Sequence, residues 1–128
     1  MRSRVGRSAT LAVIVLATTA VAGAFAASAA IGPTKAAATA VTVTETEYTI
    51  APSTNTAPPG KVTFTVTNSG TIAHKFGIKG NGVKKAIKGL IQPGKTKVIT
   101  VLLKKKGAYT LFCALHQAQG MTATFTVA

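Results

Sequence analysis

Between Lys61 and Thr67 the chain alternates apolar and polar residues without a break (KVTFTVT). A two-residue period puts Val62, Phe64 and Val66 on one face, with lysine or threonine on the other, which is the pattern of a half-buried β-strand. Similar runs recur. Val41 and Val43 alternate with threonine at the start of 41–50, and Lys95–Leu103 carries Val98, Ile99, Val101, Leu102 and Leu103. Tyr109, Leu111 and Cys113 share a face of 108–113, and Ala123, Phe125 and Val127 alternate at the C-terminal end. Thr71–Lys79 reads as another short strand, while Val83–Gly89 fits a short helix or an irregular edge. Pro52, Pro58-Pro59-Gly60, Asn68-Ser69-Gly70, Gly80-Asn81-Gly82 and Pro93-Gly94 punctuate these runs, and Lys104–Gly107 reads as a charged hairpin turn. Short strands with turn signals between them, and almost no 3.6-residue period, predict an all-β antiparallel sandwich or barrel.

The first forty residues follow another pattern. Arg2, Arg4 and Arg7 open the chain, no charged residue follows from Ser8 to Thr34, and Leu11–Val21 is strongly apolar. Ala24-Phe25-Ala26 and Ala27-Ser28-Ala29 are small-x-small cleavage patterns. This is the layout of a secretory signal peptide, expected over 1–29, with a flexible leader over 30–40 and a folded domain over 41–128. There is no Arg-Arg pair, which favours the general export route over the twin-arginine one. The alternative is an uncleaved anchor, since about 20 apolar residues can span a bilayer. The expected location is periplasmic, extracellular or at the cell envelope.

Export makes the cysteine count informative. Disulfides form outside the cytosol, yet Cys113 is the only cysteine and has no partner within the chain. Its surroundings supply a reason for its presence. Cys113-Ala-Leu-His116-Gln-Ala-Gln-Gly-Met121 spaces a thiol, an imidazole and a thioether as C-x2-H-x4-M, and His74 lies upstream on a different strand. A cysteine and two histidines in a trigonal plane, with a weak axial methionine, are the ligands of a mononuclear blue-copper centre. The thiolate binds copper in either oxidation state, imidazoles are borderline donors, and the thioether favours Cu(I). The compromise geometry leaves little to rearrange on electron transfer. Gly120 gives the backbone room to turn back into Met121. Taken singly, each of these residues has an ordinary reading: a hydrogen-bonded strand histidine, a small core cysteine, a loop histidine, a core methionine. Jointly those readings are weak, because the two histidines, the one cysteine and the one methionine besides Met1 all fall in this pattern.

From Pro93-Gly94-Lys95 through Lys106-Gly107, Tyr109, Phe112-Cys113, His116-Gln117 and Gly120-Met121 to Phe125-Thr126-Val127, the chain resembles the plastocyanin-like cupredoxins. The resemblance implies a Greek-key β-sandwich of seven or eight strands. It also implies one copper ion held by His74, Cys113, His116 and Met121, and a monomer that shuttles single electrons. The chain departs from the plastocyanin pattern in two places. Lys75 stands where an asparagine usually follows the first histidine, and Leu115 where a proline usually precedes the second.

Charge narrows the partners. All three arginines lie in the N-terminal forty residues, and the twelve lysines face only Glu45 and Glu47, with no aspartate. Export, and the absence of arginine and interleaved aromatics beyond the leader, exclude a nucleic-acid reading. Lys75, Lys79, Lys84, Lys85 and Lys88 instead predict attraction to redox partner proteins with an acidic docking surface, or to an anionic envelope surface. With no open metal position and no nucleophile–base pair, the chain is not expected to be an enzyme. Two readings compete with electron transfer: a copper carrier or storage protein that hands over metal, and an immunoglobulin-like structural domain in which the ligand set is coincidental.

Overall fold

The alternating runs become strands in a computed structural model that describes residues 36–128, together with Gly23 and Gly32. The segment read as a signal peptide, apart from Gly23, lies outside the described residues, as does part of the leader. Nine strands follow: β1 (Thr39–Thr46), β2 (Thr49–Pro52), β3 (Thr56–Ala57), β4 (Gly60–Asn68), β5 (Phe76–Gly80), β6 (Val83–Ala86), β7 (Thr96–Leu103), β8 (Gly107–Cys113) and β9 (Thr122–Val127). They form two sheets, ordered β2-β1-β4-β7 and β3-β9-β8-β5-β6. The expected all-β sandwich is thus present, with the two-residue β3 as an added edge.

Most neighbours pair antiparallel, but β1 with β4 and β3 with β9 pair parallel, so both sheets are mixed. The parallel pairs follow from the path of the chain. After β1 it turns back into β2 on the sheet edge, and β3 then crosses to the other sheet beside β9. It returns to lay β4 alongside β1 in the same direction, which only a crossover connection permits.

The two sheets meet on their apolar faces. Val41, Val43, Val62, Phe64 and Val66 are all buried, as the period predicts. The Phe64 ring, from the four-stranded sheet, lies 5.4 Å from both Phe76 and Phe125 of the five-stranded sheet, tilted against one and edge-on to the other. On β7 the apolar run divides. Val101 and Leu103 are buried, while Val98 and Leu102 face outward on this edge strand.

Three local expectations change. The strand expected over Thr71–Lys79 begins only at Phe76, and His74 before it makes an isolated bridge to Ile91. The ambiguous Val83–Gly89 segment is a strand over Val83–Ala86. The Lys104–Gly107 turn does not close a hairpin, because β7 pairs with β4 while β8 pairs with β5 and β9. Turn residues specify a reversal, not the sheet that the next strand joins. Here the turn carries the chain across one end of the sandwich, and the Tyr109 hydroxyl donates to the Lys105 carbonyl at 2.8 Å.

Candidate metal centre

Strand β8 delivers Cys113 to the interior, because the period that buries Tyr109 and Leu111 also buries it. Beyond Cys113 the chain leaves the sheet in one tight, self-bonded loop. His116 N–H donates to Cys113 O (3.2 Å), and Gln119 N–H to His116 O (3.0 Å), which starts a single 3₁₀ turn over Gln117–Gln119. Gly120 ends that turn at φ 83°, a left-handed conformation that glycine adopts without penalty. The reversal brings Met121 back beside its neighbours: Cys113 N–H donates to Met121 O (3.1 Å), and Met121 N–H to His116 O (3.2 Å). Met121 is fully buried at the mouth of β9.

His74 arrives from the segment between β4 and β5. Its backbone is clamped to Ile91 in both directions, His74 N–H to Ile91 O at 3.0 Å and Ile91 N–H to His74 O at 2.8 Å. Asn68, buried at the end of β4, ties this segment together. Its amide donates to Ile72 O (2.7 Å) and Ile91 O (2.8 Å), and its side-chain oxygen accepts from Gly70 N–H (2.8 Å). Replacing Asn68 with alanine removes all three bonds; Ile91 O keeps the His74 N–H, while Ile72 O and Gly70 N–H lose their Asn68 partner, at a cost of about 1–3 kcal/mol. Chemical denaturation is expected to show that loss, whereas a denaturation midpoint equal to wild type would mean that Asn68 does not hold the His74 segment.

The donor atoms converge. Cys113 Sγ lies 3.8 Å from His74 Nδ1 and 3.5 Å from His116 Nδ1, and the two imidazole rings sit 5.3 Å apart, nearly perpendicular. Donors about 2.0 Å (nitrogen) and 2.3 Å (sulfur) from one ion, roughly 120° apart, would be separated by about 3.7 Å. The spacing therefore suits a single small ion between them. His74 is fully buried, and its Nε2 has no hydrogen-bond partner. Burial, and then the neighbouring His116, lower the His74 pKa, with Glu47 opposing, so the ring stays neutral and able to donate a lone pair. Lys75 N–H donates to Cys113 Sγ at 3.4 Å. This bond belongs to the backbone, so it does not depend on the asparagine that Lys75 replaces. The set His74, Cys113, His116 and Met121 is suited to holding one copper ion, and copper there would supply one-electron redox chemistry.

Of the four residues expected from the sequence, the structure brings His74, Cys113 and His116 together and locks Met121 to the same loop through the backbone. Two contributors were not singled out beforehand. Asn68 carried only a turn signal. Tyr48 holds φ 60° in the β1–β2 turn and sets its ring edge-to-face with His116 at 5.4 Å. Outside the donor set, one more residue escaped notice: Glu45 is completely buried, and neither carboxylate oxygen has a partner. Its place on the Val41–Val43 face was the available signal.

A β-sandwich with a thiol, two imidazoles and a thioether gathered beside its last two strands defines a cupredoxin. Residues 10–127 match the cupredoxin-like domain, and the chain belongs to that family. Among solved structures, reduced auracyanin from the photosynthetic bacterium Roseiflexus castenholzii is similar, at 24% identity and a TM-score of 0.58 over 73% of this chain and 99% of that one. Auracyanin B is similar at 17% identity and a TM-score of 0.61, over 73% and 91% of the two chains. Both likenesses show the fold. No curated protein matches the chain.

Proposed function

We propose that this domain is an exported electron carrier that shuttles one electron through a mononuclear type 1 copper centre held by His74, Cys113, His116 and Met121. One observation carries the reading: a thiol and two imidazole Nδ1 atoms converge in a buried pocket whose backbone is already cross-bonded. Donors fixed in advance need little rearrangement when charge changes, which suits fast transfer. The Lys75 N–H that donates to Cys113 Sγ draws electron density from the thiolate and so favours the reduced state.

Three of the four residues are fully buried, and His116 alone is part-exposed. Its ring lies edge-on to Tyr48, 51% exposed, and the residue before it, Leu115, is 47% exposed, so electrons enter and leave at this edge. With four protein donors there is no open position for a substrate, consistent with a carrier and not an enzyme. Residues 1–29 serve as the export signal and 30–40 as the leader, placing the domain in the periplasm, outside the cell or at its envelope. The lysines draw redox partners with acidic surfaces.

The test uses the copper-loaded protein, cycled by an anionic one-electron reagent such as hexacyanoferrate in the presence of a Cu(I) chelator. A carrier cycles rapidly and keeps its metal, whereas steady loss of Cu(I) to the chelator would mean that the protein delivers copper. Leu115→Glu places a carboxylate beside the His116 edge. It is expected to slow exchange with the anionic reagent about tenfold at low salt, with an unchanged visible spectrum. An unchanged rate would move the electron route elsewhere.

A further inference from the structure

Beside the metal loop lies a groove of about 530 Å³ walled by Lys75, Lys79, Lys84 and Lys85, with Phe112 among its lining residues. We propose that this groove is the docking site for an acidic protein surface, a cluster of glutamate or aspartate side chains on the partner. The inference rests on the electron-carrier reading for its purpose, but not for its evidence.

Four observations support it. First, Lys79 on β5 is directly opposite Lys84 on β6, and Lys85 is the next residue along. Like charges directly opposite each other destabilise a sheet, so this arrangement costs stability and requires a compensating gain elsewhere. Second, nothing in the chain neutralises it. Of the only two acids, Glu45 is buried, and the Glu47 carboxylate accepts from Thr71 N–H, Thr71 O–H and Ile72 N–H. Third, the wall is built and not a loose fringe. Lys79 Nζ sits 5.1 Å from the centre of the Phe112 ring, a cation–π distance. That ring packs so closely on β5 that a Cβ at Gly77 would come within 2.6 Å of Phe112 Cζ. Fourth, the groove reaches the metal centre. Ala114 and Gln117 of the metal loop line it, and Lys75, whose side chain forms part of the wall, donates its backbone N–H to Cys113 Sγ.

The shape favours a protein over a lipid surface. The groove is concave, and its apolar lining consists of Ala86, Ala114 and the buried Phe112. A peripheral membrane site instead presents long apolar side chains that enter the acyl boundary. Carboxylates projecting from a partner can reach the ammonium groups inside the groove, and the partner then lies against the metal loop.

The experiment measures binding of a labelled deca-glutamate peptide to the full chain at low and at high ionic strength. Lys79→Glu/Lys84→Glu/Lys85→Glu is compared with Lys104→Glu/Lys105→Glu/Lys106→Glu, an equal charge change at the start of β8, the end away from Cys113. The groove variant is expected to lose at least about tenfold in peptide affinity and the turn variant less than about twofold, with binding lost at high salt. Equal losses in the two variants would overturn the proposal, since they report net charge alone. So would tighter, groove-dependent binding to phosphatidylglycerol vesicles than to the peptide, which would make the surface a lipid site. Lys84→Ala/Lys85→Ala, both on the exposed edge strand, repeats the comparison without charge reversal should the triple variant unfold. The readout needs neither copper nor electron transfer. Failure here therefore leaves the carrier reading standing, and failure of that reading leaves this result interpretable.

Discussion

Wild-type protein is expected to show an intense visible band with Cu(II), and Cys113→Ser to abolish it and to weaken copper binding by more than about a hundredfold. Loss of a group that only supports a ligand typically costs 10–100-fold in metal affinity, and removal of the ligand itself costs more. Cys113 Sγ is the atom that both imidazoles face, at 3.8 and 3.5 Å, so it is the common member of the donor set. A serine hydroxyl is hard and remains protonated at neutral pH, so it offers neither the soft donor nor the thiolate-to-copper charge transfer that gives the colour. Lys75 N–H also loses its sulfur acceptor. The substituted hydroxyl is fully buried, and its desolvation is expected to cost about 1–3 kcal/mol, so the variant is checked for folding by circular dichroism. A wild-type protein that stays colourless with Cu(II) would sink the assignment, and so would a Cys113→Ser variant that stays blue.

Cys113 also shows why the candidate donor set was legible in the sequence. Its signal is scarcity: the chain has one cysteine, two histidines and one methionine besides Met1, and C-x2-H-x4-M accounts for all but His74. The core strands were legible for a different reason. One face of each is buried, so a two-residue period is imposed on the residues, and Val62, Phe64 and Val66 turn inward as the pattern requires. Other features depend on distant contacts that leave no local mark. The reversal at Lys104–Gly107 was visible, but the sheet that receives β8 is decided by pairing with β5 and β9. Asn68-Ser69-Gly70 looks like any turn, yet the Asn68 amide holds Ile91, 23 residues away, and through it the His74 bridge. The Lys75 bond to the thiol is made by the backbone, so residue identity could not reveal it. Nor does the sequence announce that Tyr48 closes over His116.

The period that puts Val41 and Val43 inside also puts Glu45 there, and this gives the second large expected effect: Glu45→Gln stabilises the metal-free protein by about 3 kcal/mol at alkaline pH and changes it little at or below pH 4.5. Glu45 lies opposite Ile50 on β2 and Asn68 on β4, fully buried, with both carboxylate oxygens unpartnered. Burial alone pushes its pKa up from 4.5 to about 7. The sign follows from where the proton sits. Below the unfolded value of 4.5 both states hold it, and ionisation costs nothing. Between there and about 7 the unfolded chain gives the proton up while the folded chain keeps it, so stability falls as pH rises. Above that range both states are ionised, and the folded protein bears the full cost of a buried, unpaired carboxylate. Glutamine has nearly the same shape and cannot ionise, so the substitution removes the pH-dependent part and leaves the packing. His74 also titrates with a shifted pKa, but it is present in both proteins and largely cancels in the difference. Urea denaturation of both forms near pH 4.5 and again in mild alkali is the measurement. An advantage for Glu45→Gln that grows with pH is expected, whereas an equal difference at the two conditions would mean that the Glu45 carboxylate finds water or a cation when it ionises.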